Sequence, residues 1–331
     1  MLSISSQILR LPVSLRSQCI EICSQVRCLS TSTRLTAGHE NPLGLPRSGT
    51  PPNLAARMKR GLPEKRKISN VKNIIAVSSA KGGVGKSTIS VNLALAMAQQ
   101  GLHTGILDTD IYGPSIPTLL NVGYEPELDR NNRLVPLTAY GLKAMSMGFL
   151  VPQDSPVAWR GLMVQKAMNQ LLFEVSWPNL DVLVMDLPPG TGDVQLTITQ
   201  SVELTGAAIV STPQDLALRD AVRGIDLFKK VNVPIFGMIQ NMSSFVCTNC
   251  DHKHDIFGLD GILFPPTLLT QAGAKKKCNE IGIPFLGDIP LHPDICANAD
   301  AGKPTMVANP DTPQAKSFDE IAKKIASKLE S

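Results

Sequence analysis

Two short stretches of this sequence carry residues whose types and spacing could do chemistry. The first is Ala80-Lys-Gly-Gly-Val-Gly-Lys-Ser-Thr88. Gly82, Gly83 and Gly85 would let consecutive backbone N–H groups turn toward phosphate oxygens. The N-terminus of a following helix would add its positive dipole end, and Lys86 and Ser87 would reach phosphate and Mg²⁺. The pattern departs from G-x-x-x-x-G-K-[ST] at its first glycine, which is Ala80, and Lys81 adds a second cation. A plain glycine turn would match two of these positions, whereas here five stand in register between a strand-like run, Asn73 to Ser78, and a helix-like run, Ile89 to Gln100. The second stretch is Cys247-Thr-Asn-Cys250, followed by His252 and His254. Two thiolates cannot close a tetrahedral site. The set is completed either within the chain, by His252, His254 or Cys278 around zinc, or by two chains each giving one Cys pair to a shared iron-sulfur cluster. A redox dithiol is a third reading, disfavoured because the pair follows a late strand.

The elements that must position these groups alternate between strand-like and helix-like runs from Val71 onward. That alternation predicts an α/β fold with a doubly wound, mainly parallel sheet and helices on both faces. Strands are expected at Asn73–Ser78, Thr104–Asp108, Asp181–Asp186, Ala207–Ser211, Ile235–Gln240 and Pro284–Gly287. Helices are expected at Ser87–Gln100 (closed by Gly101), Met163–Val175, Val194–Val202, Leu216–Val231, Leu268–Ile281 and Pro313–Leu329. A small antiparallel insertion fits Asn121 to Gly148. Cys278 and Cys296 fall in helical runs and read as small packing residues.

Ligands of such sheets sit at the carboxyl ends of the strands. One strand ends in Asp108-Thr-Asp110, where Asp110 could orient a water for attack on a terminal phosphate. Another ends in Asp186, an acid able to hold Mg²⁺ directly or through water, followed by the loop Leu187–Asp193 with Gly190 and Gly192. Asn241 ends a third strand, with a side chain that both donates and accepts, as reading an adenine edge requires; a strand-end Asn is also a common turn former.

The first 39 residues hold four arginines, one acid (Glu21), no lysine and many serines. Leu15, Cys19, Ile22, Cys23 and Val26 share one helical face, the composition of a mitochondrial transit peptide. Arg27-Cys28-Leu29-Ser30 places cleavage near Leu29, which would remove Cys19, Cys23 and Cys28. The expected organisation is a presequence at 1–29, a Pro/Gly-rich and then basic linker at 30–70, and one P-loop domain carrying the C-x-x-C pair at 71–331. Arg10, Arg16 and Arg27 against Glu21 supply half of the formal +4 charge, and aromatics are only 4%. Neither a basic footprint nor base-stacking material for nucleic acid is present. No apolar run is long enough for a membrane span. Phe318, Ile321, Ile325 and Leu329 on one face of the last helix, with lysines around them, allow at most a peripheral membrane contact.

Lys81-Gly-Gly-Val-Gly-Lys-Ser-Thr88, Asp108-Thr-Asp-Ile-Tyr-Gly-Pro-Ser115, Asp186-Leu-Pro-Pro-Gly-Thr-Gly-Asp193 and Asn241-Met-Ser with Cys247 and Cys250 resemble the Mrp-type nucleotide-binding iron-sulfur ATPases, over roughly residues 68 to 330. With the presequence, the chain is similar to a mitochondrial member serving respiratory complex I. The resemblance implies a deviant-Walker P-loop fold, ATP with Mg²⁺, a homodimer, and a labile [4Fe-4S] cluster bridged by Cys247 and Cys250 of each subunit and delivered to apo iron-sulfur proteins in the mitochondrial matrix. On the same footing, Gly82, Gly83, Val84 and Gly85 wrap the phosphates, Lys86 contacts the β and γ phosphates, Ser87 coordinates Mg²⁺ and Thr88 supports the α phosphate. Lys81 reaches the partner's nucleotide, Asp110 orients water, Asp186 serves Mg²⁺, and Asn241 and Pro290 border adenine. Thr248-Asn249 lacks the proline often found between these cysteines, and the four-cysteine N-terminal motif of the cytosolic relatives is absent. Two other classes share parts of this pattern: a MinD/ParA-like positioning ATPase using the last helix on a membrane, and an ATP-gated reductase passing electrons.

Overall fold

The computed structural model describes residues 65–150, 161–247, 250, 252–254 and 273–329, all within one compact unit, Gly61–Ser331. The presequence and most of the linker expected at 30–70 lie outside these residues, as does the start of the helix expected from Leu268.

Among the described residues, nine strands form one sheet in the order β3-β4-β2-β5-β1-β6-β7-β8, with β9 also paired to β7. These are β1 (Val71–Ser78), β2 (Thr104–Asp108), β3 (Leu137–Ala139), β4 (Leu142–Ser146), β5 (Leu180–Asp186), β6 (Gly206–Ser211), β7 (Ile235–Val246), β8 (Lys253–His254) and β9 (Phe285–Leu291). The pairings are parallel except β3 with β4 and β8 with β7. The inner strands β2 and β6 are buried along their whole length. That is why they read as unbroken apolar runs, as parallel strands covered on both faces do. The insertion expected at 121–148 supplies the antiparallel β3–β4 pair, and β4 then joins β2 in parallel.

The chain leaves β1 through α1 (Lys86–Gln99) to β2 on one side and later returns through β5 to β6 on the other. This reversal of winding opens a crevice at the carboxyl end of β1. Helix α1 is buried over most of its surface. It stops where Gly101 takes φ +93° and Leu102 N–H donates to the Met97 carbonyl at 3.2 Å, a left-handed glycine closure. The other helices are α2 (Ile116–Leu120), α3 (Gly161–Phe173), α4 (Asp193–Ser201), α5 (Asp215–Lys230), α6 (Ala274–Ile281), α7 (Pro293–Asp300), α8 (Thr305–Ala308) and α9 (Pro313–Ala326).

Helix α9 answers the question of the last helix. Thr312 caps it by accepting from Ala315 N–H at 3.3 Å, Pro313 takes the first turn, and Phe318, Ile321 and Ile325 are at most 2% exposed. Ile321 packs where a side chain at Gly287 would stand, and Lys324 Nζ donates to the Leu286 carbonyl at 2.6 Å. The apolar face that would have entered a membrane interface is committed to the protein's own sheet. The linker reading also changes at its end. Arg66 N–H donates to Ser201 O at 2.9 Å, the Arg66 guanidinium lies 4.0 Å from the centre of the Phe173 ring, and Ile68 is buried, so residues 65–70 pack on the domain.

Candidate functional site

The crevice is a cleft of about 490 Å³ whose walls include Gly82, Gly83, Gly85, Lys86, Ser87, Thr88, Asp110, Asn241 and Pro290. Thus nine of the residues singled out from sequence converge on one space. Gly85 adopts φ +81° as the N-cap of α1, and no side chain caps the helix. The first N–H groups of α1 therefore face the cleft without an intrahelical acceptor, which suits a phosphate group. Val84 sits differently: its side chain is buried, and its carbonyl accepts from Asn241 Nδ2 at 2.8 Å. A Cβ at Gly85 would collide with that amide nitrogen, so glycine there serves both the left-handed turn and the close approach of Asn241. One hydrogen of the Asn241 amide thus belongs to the P-loop. Lys81 stands on the loop, half-buried and outside the cleft lining, with its carbonyl held by Ser79 Oγ at 3.0 Å.

Asp186 lies under the loop, fully buried at the end of β5. Its Oδ2 is 2.7 Å from Lys86 Nζ and 2.6 Å from Ser87 Oγ; its Oδ1 is 2.6 Å from Ser90 Oγ. A carboxylate and a hydroxyl side by side form the hard-oxygen set that Mg²⁺ prefers. The loop after Asp186 is tied back to the end of β1 and the residue that follows it: Leu187 N–H donates to Val77 O at 3.0 Å and Gly190 N–H, at φ +94°, to Ser79 O at 2.8 Å.

The role of Asp108 escaped sequence reasoning, which saw only an acid at a strand end. It is buried at 1% exposure and gathers four donors: the N–H groups of Asp110, Ser115 and Ile116 and the Ser146 hydroxyl, at 3.0 to 3.3 Å. It therefore pins the loop that carries Asp110. Burial, reinforced by the charge of Asp186, pushes the Asp108 carboxyl up to about 7 against the pull of those N–H bonds. Burial also raises Asp110, opposed first by Lys86. Asp110 reaches the cleft and accepts from Gly113 N–H at 3.3 Å.

Cys247 and Cys250 fall between β7 and β8, at one edge of the sheet. Strand β7 continues six residues past Gln240 and pairs with β8, Phe245 opposite His254. Cys247 N–H donates to the His252 carbonyl at 3.0 Å, which closes the turn. Cys250 is exposed, and the His252 and His254 rings meet edge to face at 4.6 Å. Among the described residues no three His, Cys, Asp or Glu side chains are grouped to hold a metal. Cys278 is fully buried in α6, and that burial pushes its thiol up to about 11. Its full burial gives it the packing role expected of it. Cys296 corrects the same expectation in the other direction: it is exposed, lines the cleft from α7 and lies 3.7 Å from Asp300 Oδ2.

Comparison with known proteins follows the same lines. A family described as the NUBPL iron-transfer P-loop NTPases, within the ParA group, matches residues 70–326. The iron-sulfur cluster transfer protein NUBPL of Dictyostelium discoideum is 51% identical over 265 residues, covering 80% of this chain and 78% of that protein. The iron-sulfur cluster carrier protein of Aquifex aeolicus is 45% identical over 269 residues, covering 81% and 71%. A nucleotide-binding protein of Archaeoglobus fulgidus, solved with ADP, superimposes with a TM-score of 0.62 at 34% identity over 75% of this chain and 92% of that one. The cell-division ATPase MinD of Pyrococcus furiosus shares the fold at a TM-score of 0.55 and 20% identity, covering 77% of this chain and 99% of its own. Loop, acids, cleft and family match converge, and the chain belongs to the NUBPL iron-transfer P-loop NTPases.

Proposed function

We propose that this chain is an ATP-dependent iron-sulfur cluster carrier that acts as a homodimer in the mitochondrial matrix and hands [4Fe-4S] clusters to apo-proteins of respiratory complex I. The observation that carries the reading is the placement of Cys247 and Cys250. They sit on a ribbon whose root, Asn241, is bonded to the phosphate loop at 2.8 Å. Two thiolates supply half the ligands of a four-iron cluster, so a second copy of the ribbon completes the set for a cargo held between subunits. A pair with Cys250 exposed and Cys247 half-buried suits a cargo that must leave. The presequence-like composition and the family support the matrix and complex I assignments.

In this reading the N–H groups of Gly82 to Thr88 and the Lys86 ammonium bind the phosphates. Mg²⁺, held by Ser87 Oγ and served by Asp186, would neutralise charge on the β and γ phosphates. Asp110, kept on its loop by Asp108, orients the attacking water, and its burial-raised basicity favours holding that water's proton. Asn241 and Pro290 border the base. Lys81, which does not line its own cleft, serves the nucleotide of the partner subunit, so that ATP closes the dimer and slow hydrolysis reopens it. The test is transfer of labelled iron from the reconstituted protein to an apo-acceptor. Transfer should accelerate with ATP in the wild type and lose that response in Lys86→Ala, which should not bind nucleotide. Electron transfer without iron transfer would refute the carrier reading.

A further inference from the structure

Strand β7 carries both halves of this chemistry, and it is broken between them. Asn241 and Met242 line the nucleotide cleft, and Cys247 follows five residues after Met242 on the same segment. Met242 has φ +55°, left-handed backbone that an unbranched non-glycine residue adopts at a cost and keeps only where its surroundings enforce it. The register shows the same break. Asn241 faces Ile289 on β9, whereas Phe245 faces Leu291, so four steps along β7 match two along β9. Ser243 Oγ steadies the excess, 3.1 Å from Asp288 Oδ2 and 3.2 Å from the Ile289 carbonyl. A bulge of this kind can simply end a strand pairing. Here pairing resumes beyond it, and both strands of the resumed pair are rooted in the cleft wall, β9 through Pro290 and Leu291.

We infer that Met242 and the bulge behind it form the hinge through which occupancy of the nucleotide cleft repositions the cysteine ribbon. The inference rests on the carrier reading and gives it a path within one subunit. Upstream of the hinge, Asn241 is bonded to Val84 of the phosphate loop; downstream, Phe245 and Val246 pair with His254 and Lys253 and lead into Cys247. A base or ribose pressing on Met242, Pro290 and Leu291 acts on the root of the ribbon. By linkage, thiols engaged with a cluster change nucleotide affinity in return.

The experiment uses the full chain, reduced and cluster-free, and follows alkylation of Cys247 and Cys250 by iodoacetamide with peptide mass spectrometry. Rates are compared without nucleotide and with Mg²⁺ and a non-hydrolysable ATP analogue at concentrations that saturate each variant. In the wild type the analogue should change the rate at one or both cysteines by about fivefold or more, the lower end of ordinary coupling. Met242→Gly, which frees the left-handed position, and Ser243→Ala, which unpins the bulge, should each reduce the effect below about twofold, whereas Met242→Leu should retain it. Shielding of the thiols by dimer formation alone would survive both substitutions, and a full effect in both overturns the hinge. So does a wild type without any nucleotide effect. Should Met242→Gly fail to fold, Ser243→Ala decides the matter. Iron loading, measured separately on the wild type, reports on the carrier reading: a chain that takes no iron yet shows the hinge effect would sink that reading and leave the hinge.

Discussion

Ser90 offers a sharp test of how the buried acid is held. Asp186 is a fully buried carboxylate whose Oδ2 is shared by Lys86 and Ser87, while Ser90 Oγ stands 2.6 Å from Oδ1. The Ser90 hydroxyl also lies 3.0 Å from the Lys86 carbonyl, but it has one proton, and the shorter contact to a charged acceptor takes it. Ser90→Ala removes that donor and opens almost no volume, so the cost is that of an under-satisfied buried charge. Hydrogen bonds to charged groups contribute about 1.5 to 3 kcal/mol, which sets the expected loss near 2 kcal/mol. In an Asp186→Asn background the same bond joins neutral groups and its removal should cost about 1 kcal/mol, leaving a coupling of about 1 kcal/mol. Urea unfolding of the four proteins of the cycle, compared as midpoint shifts at constant slope, measures both values. A Ser90→Ala loss below about 0.5 kcal/mol, the range of surface changes, would refute the role given to Ser90. An equal loss in both backgrounds would show that the effect does not run through the charge of Asp186.

Three further outcomes follow from burial. The Asp108 carboxyl is raised from 3.8 to about 7, so its contribution to stability is complete below pH 3.8 and is lost as pH rises through 7. Over that window it should cost about 4 kcal/mol, and Asp108→Asn should flatten the fall in urea midpoint between pH 4 and 8. Parallel pH curves for the two proteins would show that the carboxyl titrates normally. Phe318→Ala empties a fully buried position beneath the sheet and should lose about 3 to 5 kcal/mol. Since the apolar face of α9 is already buried, ATP should not drive the wild type onto liposomes; sedimentation that depends on ATP and on α9 would revive the positioning reading.

What the sequence made legible is what local chemistry dictates. The strand, loop and helix around Lys86 could be read because each glycine and the lysine have separate physical tasks. The inner strands could be read because burial on both faces writes apolar runs. Asp110, Asp186 and Asn241 were picked out by one rule, that ligands gather at the carboxyl ends of parallel strands, whereas Pro290 came only from the family resemblance. The rest depends on contacts between distant segments. Nothing local distinguishes Asp108 from a turn-forming acid, because its donors arrive from residues 115, 116 and 146. β7 was expected to end at Gln240, since the mostly polar stretch Gln240–Ser244 hides a strand that continues through a left-handed Met242. Cys278 and Cys296 both sit on helices, and only tertiary packing buries one and exposes the other. The short helices α2, α7 and α8 have too few turns to leave a periodic signal.

The most direct test of the carrier function is the metal content of the purified protein after anaerobic reconstitution, with iron, sulfide and zinc measured together and the absorbance recorded. A brown protein with about four irons and four sulfides per dimer, reduced to background by Cys247→Ser while the fold persists, is the expected result. A colourless protein that retains zinc, or a Cys247→Ser variant with full cluster content, would contradict it.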